Sequence, residues 1–134
     1  MSTLVHLETN LGGIRIELDD ARAPLSVENF LNYVKAGHYD GTIFHRVIKT
    51  FMIQGGGYTS DLSYKTAFEP VENEGANGLS NLRGTVAMAR QDDPHSATSQ
   101  FFINTVDNRF LNFTSTESSR TWGYCVFGRV VAGM

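Results

Sequence analysis

Residues 44–57, FHRVIKTFMIQGGG, place an arginine, Arg46, inside an otherwise apolar, strand-like run. A charged side chain in such a run must reach solvent, pair with a carboxylate, or face a group that offsets its desolvation cost. Phe51, Met52 and Gln54 follow a few residues later. Permanent hydrogen-bond donors beside apolar side chains and glutamines favour a peptide-binding module at least as strongly as a catalyst.

The sequence lacks the residue patterns that metal binding and phosphate binding require. The histidines are scattered and the chain has no cysteine cluster, so the sequence predicts no metal site. The glycine run 55–57 has no following Lys-Ser/Thr and no helix start, so it indicates a turn or a close backbone approach rather than a phosphate-binding loop. His45 is expected to be structural, because the pleat of a strand sends it to the face opposite Arg46.

Composition indicates one globular domain over residues 1–134. Hydrophobic residues make up 41% of the chain and charged residues 19%, which argues against disorder. The net charge of −3 predicts no nucleic-acid or anionic-lipid partner. The lone Cys125 reads as a small core hydrophobe, and it fits a reducing, cytoplasmic location. No signal peptide and no membrane-spanning run is expected.

The hydrophobic pattern predicts a mostly β protein with one early helix. Residues 4–9 and 14–18 alternate apolar and polar side chains around a glycine turn, which predicts a hairpin. Residues 23–37 carry an apolar stripe at helical spacing, with Pro24 in the first turn and Gly37 past the end. The stripe consists of Val27, Phe30, Leu31 and Val34.

Later strands are expected to be short, as in an antiparallel sandwich or barrel. They are residues 42–48, 51–54, 84–90, 99–105 and 124–131. The adjacent Phe101 and Phe102 must face opposite ways, so one is expected in the core and one in a pocket. The long segment from Tyr58 to Arg83 is expected either near a functional site or packed on itself as a surface loop.

Several blocks together resemble the cyclophilins, the peptidyl-prolyl cis–trans isomerases, and most of all the short bacterial cytoplasmic members. They are FHRVIKTFMIQGGG (44–57), GTVAMAR (84–90), SATSQFFINTVDNRFLN (96–112) and VFGRV (126–130). This resemblance implies an antiparallel β-barrel capped by helices, with a substrate groove on its outer face.

The resemblance also implies roles for single residues. Arg46 would be the catalytic residue, and Gln54 and Gln100 would position substrate carbonyls. The backbone of residues 89–91 would pair with an extended peptide. The substrate-binding residues implied in this way are Phe51, Met52, Gln54, Ala89, Arg90, Gln91, Gln100, Phe102, Phe110, Leu111 and Tyr124.

The implied activity is prolyl isomerisation in peptides and folding proteins, without a metal or another cofactor. The alternative is a proline-peptide binding or chaperone module with little turnover. Phe110 stands where cyclosporin-sensitive members carry tryptophan, so the loss of the indole N–H predicts weak cyclosporin binding. Arg90 and Gln91 replace the family's Asn-Ala, and they are expected to act through their backbone.

The end of the chain departs most from the resemblance. The cyclophilins continue past the segment that matches GRVVAGM with a second helix and a final strand that pairs with the first. We therefore expect an open edge along residues 4–9 and a C-terminally incomplete domain. A monomer is expected for the complete domain.

Overall fold

The computed structural model describes residues 3–134 and contains one antiparallel sheet of seven strands. The strands are β1 (Thr3–Thr9), β2 (Gly12–Leu18), β3 (Arg46–Ile48), β4 (Met52–Gly55), β5 (Thr85–Met88), β6 (Phe101–Asn104) and β7 (Val126–Ala132). Their order across the sheet is β1-β2-β7-β5-β6-β4-β3, so β1 and β3 are its edges. The sheet curls into a half-barrel, which confirms the predicted β architecture. Within residues 3–134, β1 pairs with β2 alone, as expected for an open edge along residues 4–9.

Two helices accompany the sheet within residues 3–134. Helix α1 spans Pro24–Lys35, and the single-turn helix α2 spans Ser119–Trp122. Short 3-10 turns lie at Gly75–Asn77 and Arg109–Leu111. Neither α1 nor α2 has the length and apolar content needed to cross a lipid bilayer.

The predicted hairpin is confirmed, and one predicted strand is shorter than expected. β1 and β2 pair in register from Thr3 opposite Leu18 to Thr9 opposite Gly12. The run 42–48 forms a strand only from Arg46 onward. Residues before it turn toward another partner, because the Ile43 N–H donates to the Tyr58 carbonyl over 3.0 Å instead of joining β4.

The pleat of β6 separates a core from an outer face. Phe101 and Ile103 belong to the main core, where Phe101 meets Phe30 of α1 edge-on at 5.5 Å between ring centroids. Phe102 belongs to a second apolar cluster on the other face of the sheet, together with Met52. The prediction that Phe101 and Phe102 face opposite sides is therefore confirmed.

The buried face of α1 is turned slightly from the predicted stripe. Val27 and Phe30 are buried as expected, but Val34 remains 37% exposed while Tyr33 is fully buried. Tyr33 is covered by Phe68, whose ring stacks on it at 4.6 Å between centroids. Val34 instead lines an open hollow beside β1, which leaves it partly exposed.

A distant carboxylate serves the N-terminus of α1. Ala23, which precedes the helix, offers no side-chain cap, and no acidic residue lies in the first turn. Glu74 accepts hydrogen bonds from the backbone N–H of Ser26 at 2.7 Å and of Leu25 at 3.2 Å. It thereby satisfies two of the free amides and places negative charge at the positive end of the helix dipole.

We expect Glu74→Ala to lower the free energy of unfolding by about 1–2 kcal/mol, the usual size of a lost helix cap. Urea unfolding checks this value. Glu72→Ala is the matched control, because Glu72 is exposed and carries the same charge two residues away. Equal losses in the two variants would contradict the capping role.

His38 is expected to make stability depend on pH. Burial lowers the pKa of its imidazole, and this outweighs the opposing effect of the hydrogen bond between Nε2 and the Gly56 carbonyl. Since the unfolded state binds the proton more readily, the contribution of His38 to stability is complete above its unfolded pKa of about 6.5. It is lost as the pH falls below that value toward the lowered folded pKa.

The free energy of unfolding by urea is measured at about pH 7.5 and about pH 5 for the parent chain and for His38→Gln. Glutamine keeps a hydrogen-bond donor for the Gly56 carbonyl. The variant should lose less stability on acidification than the parent. His6→Gln is the control, since His6 is exposed and paired with Glu8. An unchanged pH dependence in His38→Gln would refute the assignment.

Candidate functional site

Arg46 lies at the start of edge strand β3, directly opposite Gln54 of β4. The ion pairs within residues 3–134 are His6–Glu8 and Glu17–Arg129, so no carboxylate holds Arg46. The residue is exposed, and its guanidinium makes no hydrogen bond to the described part of the chain. Its donors are therefore free to meet a ligand.

Arg46 borders a hollow of about 190 Å³ on the outer face of the sheet. Met52 and Phe102 form its floor and are only 3% and 4% exposed. Tyr124 meets Phe102 edge-on, with 5.6 Å between ring centroids. The structure thus brings together nine of the residues predicted from the sequence, namely Arg46, Phe51, Met52, Gln54, Ala89, Arg90, Phe102, Leu111 and Tyr124.

The two predicted glutamines form a pair beside this hollow. Gln54 donates from Nε2 to Oε1 of Gln100 over 2.9 Å, which fixes both amides near Arg46. Gly57 makes room for this arrangement, because a Cβ at that position would lie 2.6 Å from Cγ of Gln100. The expected close approach at the glycine run is confirmed at this position.

Phe110 and Gln91 lie at the rim. Phe110 is 73% exposed and stacks on Phe51, with 5.9 Å between centroids. Gln91 is exposed and lines a neighbouring open hollow with Phe110 and Leu111. These two predicted site residues therefore border the groove outside its central hollow.

The backbone of residues 89–91 is already partly occupied. The Ala89 N–H donates to the Gln100 carbonyl over 3.1 Å, and the Gln91 N–H donates to Oγ of Ser96 over 2.9 Å. The Gln91 carbonyl accepts from the Arg90 side chain. A peptide that pairs with this segment would have to use the groups that remain, such as the Ala89 carbonyl.

The side chain of Arg90 has a role that sequence reasoning missed. Its Nη2 donates to the carbonyls of Ser119 at 2.7 Å and Gly123 at 3.0 Å, and Nε donates to the same Gly123 carbonyl at 3.1 Å. Nη1 donates to the carbonyl of Gln91 and to Oγ of Ser119. The guanidinium also lies 4.7 Å from the centre of the Tyr124 ring. Arg90 thus joins the loop after β5 to the segment that carries Tyr124, and only its replacement of an expected asparagine marked it in the sequence.

His45 does not face the groove. Its ring packs on Tyr58 at 4.6 Å between centroids. Burial lowers the pKa of its imidazole, and the positive charge of Arg46 lowers it further. Its Nδ1 is buried without a hydrogen-bond partner in the described residues. This placement fits the predicted structural role, but its reason is the packing on Tyr58 rather than the strand pleat, because His45 precedes β3.

The long segment from Tyr58 to Arg83 lines no part of the hollow beside Arg46. It serves packing instead, since Phe68 covers Tyr33 and Glu74 caps α1. Near its end the segment also packs beneath the groove, where Leu79 contacts the cluster of Met52 and Phe102 and Asn81 donates to the Leu111 and Tyr124 carbonyls. Of the two alternatives, the structure favours the packed loop.

Arg90→Ala is expected to lower the free energy of unfolding by about 2 kcal/mol, because it leaves several carbonyls without a charged donor. Arg90→Lys should restore only part of this loss, since an ammonium cannot reproduce the planar fork. Chemical unfolding measures both. Arg120→Ala is the control, because Arg120 is exposed and its guanidinium makes no hydrogen bond within residues 3–134. A control as damaging as Arg90→Ala would contradict the interpretation.

Comparison with known proteins shows which family the sequence matches. Residues 4–134 match the family described as cyclophilin type peptidyl-prolyl cis-trans isomerase/CLD. The chain is 62% identical over 133 residues to peptidyl-prolyl cis-trans isomerase cyp18 of Streptomyces antibioticus, covering 99% of this chain and 79% of that protein. It is 58% identical over 131 residues to peptidyl-prolyl cis-trans isomerase B of Escherichia coli K12, covering 98% and 79%.

Comparison with solved structures leads to the same family. The crystal structure of cyclophilin AquaCyp293 from Hirschia baltica matches with a TM-score of 0.82 at 28% identity, covering 99% of this chain and 66% of that one. A Cryptosporidium parvum cyclophilin type isomerase, crystallised in the presence of the dipeptide Ala-Pro, matches with a TM-score of 0.72 at 30% identity, covering 98% and 80%. The chain belongs to the cyclophilin type peptidyl-prolyl cis-trans isomerase family.

Proposed function

We propose that this chain accelerates cis–trans exchange about X–Pro bonds and that Arg46 is its catalytic residue. The observation that carries the proposal is an arginine with free donors beside a hollow floored by Met52 and Phe102. Family membership supports the activity, and the free guanidinium supports the role of Arg46.

Rotation about an X–Pro bond needs no nucleophile, no acid–base pair and no cofactor. A peptide bond resists rotation by about 18–20 kcal/mol because the nitrogen lone pair conjugates with the carbonyl. Rotation breaks no covalent bond. The enzyme needs only to bind the twisted transition state more tightly than either planar ground state.

Arg46 would supply that preference. In the twisted state the imide nitrogen becomes pyramidal, and its lone pair can accept a hydrogen bond. A guanidinium always carries donors and holds them in a fixed plane. Because no carboxylate competes for them, these donors can be directed at the nitrogen where the lone pair develops.

The apolar residues would hold the proline ring and exclude water. Phe102 and Met52 offer a floor, and Phe51, Leu111 and Tyr124 offer walls. Removal of water strengthens the hydrogen bond from Arg46 because the local dielectric constant falls. The Gln54–Gln100 pair beside Arg46 would orient the substrate carbonyls.

The energy required is within reach of these groups. Uncatalysed exchange takes about 10–100 s. Millisecond turnover therefore needs about four to five decades, or about 5–7 kcal/mol at about 1.36 kcal/mol per decade. One charged hydrogen bond in a water-poor site, together with positioning of the substrate, can contribute this much.

Proline-containing peptides and unfolded proteins are the proposed substrates, and the Ala-Pro dipeptide named with the Cryptosporidium parvum structure supports this class. Weak cyclosporin binding also stays a prediction, because Phe110 offers no N–H donor. A cytoplasmic location, and a monomeric state for the complete domain, belong to the same proposal, and the buried free Cys125 fits a reducing compartment.

Arg46→Ala is expected to slow exchange in a saturating X–Pro peptide by about a hundredfold or more, as for the loss of a transition-state hydrogen bond. Peptide affinity should change by less than about threefold, because the apolar walls remain. NMR exchange spectroscopy measures the rate, and titration of the same peptide measures the dissociation constant.

Arg15→Ala is the matched control, since Arg15 is an exposed arginine of β2, several strands away from β3. It should leave both quantities unchanged. If the parent chain and Arg46→Ala bind the peptide equally and neither speeds exchange, the chain is a proline-peptide binding module. That outcome would replace the isomerase proposal.

A further inference from the structure

Three buried asparagines lie beneath the groove. Asn104 ends β6 on the same face as Phe102 and pairs with Met52 of β4, so strand alternation places it where an apolar groove residue is expected. Asn81 and Asn104 are fully buried, and Asn108 is 3% exposed. Burial of a primary amide is unfavourable unless its donors and acceptor are satisfied.

The three amides satisfy one another in sequence. Asn108 donates from Nδ2 to Oδ1 of Asn104 over 2.8 Å. Asn104 donates from Nδ2 to Oδ1 of Asn81 over 3.1 Å and to Oγ1 of Thr85 over 2.9 Å. A backbone hydrogen bond from Asn108 N–H to the Asn81 carbonyl, 2.7 Å long, fixes the two ends of this amide chain.

Both ends of the amide chain reach backbone carbonyls of groove residues. Asn108 donates to the Phe51 carbonyl over 2.9 Å. Asn81 donates to the carbonyls of Tyr124 at 3.2 Å and Leu111 at 3.3 Å. Phe51 stands on one side of the proposed proline site, and Leu111 and Tyr124 stand on the other.

None of these three groove residues lies inside a strand, so the amides add hydrogen bonds to segments that the sheet does not fix along their length. Phe51 precedes β4, Leu111 ends a 3-10 turn, and Tyr124 lies between α2 and β7. Two of their carbonyls also accept from the backbone, Phe51 from the Thr105 N–H at 3.1 Å and Leu111 from the Tyr124 N–H at 2.8 Å, so the asparagines supply a second donor there. The Tyr124 carbonyl is reached within residues 3–134 by the Asn81 side chain, which satisfies an acceptor that no strand ladder serves. The direction of the amide chain is also fixed, because turning any one amide would set two donors or two acceptors against each other.

We infer that Asn81, Asn104 and Asn108 are positioning residues that set the separation between Phe51 and the Leu111–Tyr124 wall. This inference rests on the proposed function, since that separation is the width offered to a proline ring. Arg46 lies outside the amide chain and makes no hydrogen bond to it. Disruption of the amide chain should therefore weaken peptide binding while leaving the cis–trans exchange rate in the bound complex largely unchanged.

The test uses Asn104→Ala, which cuts the middle of the amide chain without removing a direct contact to any groove carbonyl, and Asn108→Ala, which frees Phe51. We expect each to raise the dissociation constant of a short Ala-Pro peptide about tenfold, which corresponds to about 1.4 kcal/mol. The exchange rate at saturation, measured by NMR, should stay within about twofold of the parent.

Ile103→Val separates positioning from simple loss of stability. Ile103 is the neighbour of Asn104 on β6, is 2% exposed and faces the main core. It should reduce the free energy of unfolding, as followed by urea, and leave the dissociation constant unchanged. Partial unfolding lowers the active concentration, but it does not change the affinity of the molecules that remain folded.

An unchanged dissociation constant in Asn104→Ala would overturn the inference. If that variant does not fold, Asn104→Ser carries the test at the same readout, with a smaller expected rise because its hydroxyl can still donate one hydrogen bond. Failure of the proposed function would look different: Arg46→Ala would leave the exchange rate unaltered. The affinities of the asparagine variants could still be measured in that case.

Discussion

The two-residue period of β6 is the constraint on which the core and the groove both depend. Phe101 and Ile103 point toward α1 and the main core, while Phe102 and Asn104 point to the outer face. A shift of one residue in the pairing with β4 would exchange these sets and bury the groove residues. The register is fixed because Phe101 and Ile103 are buried on one side, while Met52 and Phe102 belong to one apolar cluster on the other.

Apolar side chains that border solvent on the outer face of such a sheet require an explanation. Met52 and Phe102 are almost completely buried there, yet they border an open hollow beside Arg46. A larger hollow of about 350 Å³ lies beside β1, so size alone does not select the site. The combination of an apolar floor, a cation without a carboxylate partner in residues 3–134 and a hydrogen-bonded glutamine pair supports the proposal of the site beside Arg46.

Sequence reasoning reached the elements with strong patterns. The hairpin, α1 and the opposite directions of Phe101 and Phe102 follow from local periodicity, which depends little on the rest of the fold. The resemblance brought together the residues around Arg46, because the motif blocks carry their order along the chain. Val34 and the start of β3 were misjudged, since each depends on which distant segment covers it.

Long-range polar contacts could not be predicted from the sequence, for a related reason. Glu74 caps a helix that lies 48 residues away in the sequence, and Asn104 interacts with Asn81 across 23 residues. No spacing rule links such pairs, and asparagines in a loop-rich segment ordinarily indicate turns. A clue was the asparagine that ends the apolar run FFIN, at a position where alternation predicts another groove-facing apolar residue.

Two arginines border the same hollow, and their hydrogen bonds separate their tasks. The donors of Arg90 are engaged by carbonyls and a hydroxyl of the surrounding loops, while those of Arg46 meet no partner within residues 3–134. A guanidinium that is already saturated cannot compete for a developing lone pair, but it can hold the Tyr124 segment in place. The buried amides of Asn81 and Asn108 donate to other carbonyls, those of Phe51, Leu111 and Tyr124. Side-chain donors thus supplement the backbone hydrogen bonds of these loops, while the guanidinium of Arg46 stays without a partner within residues 3–134.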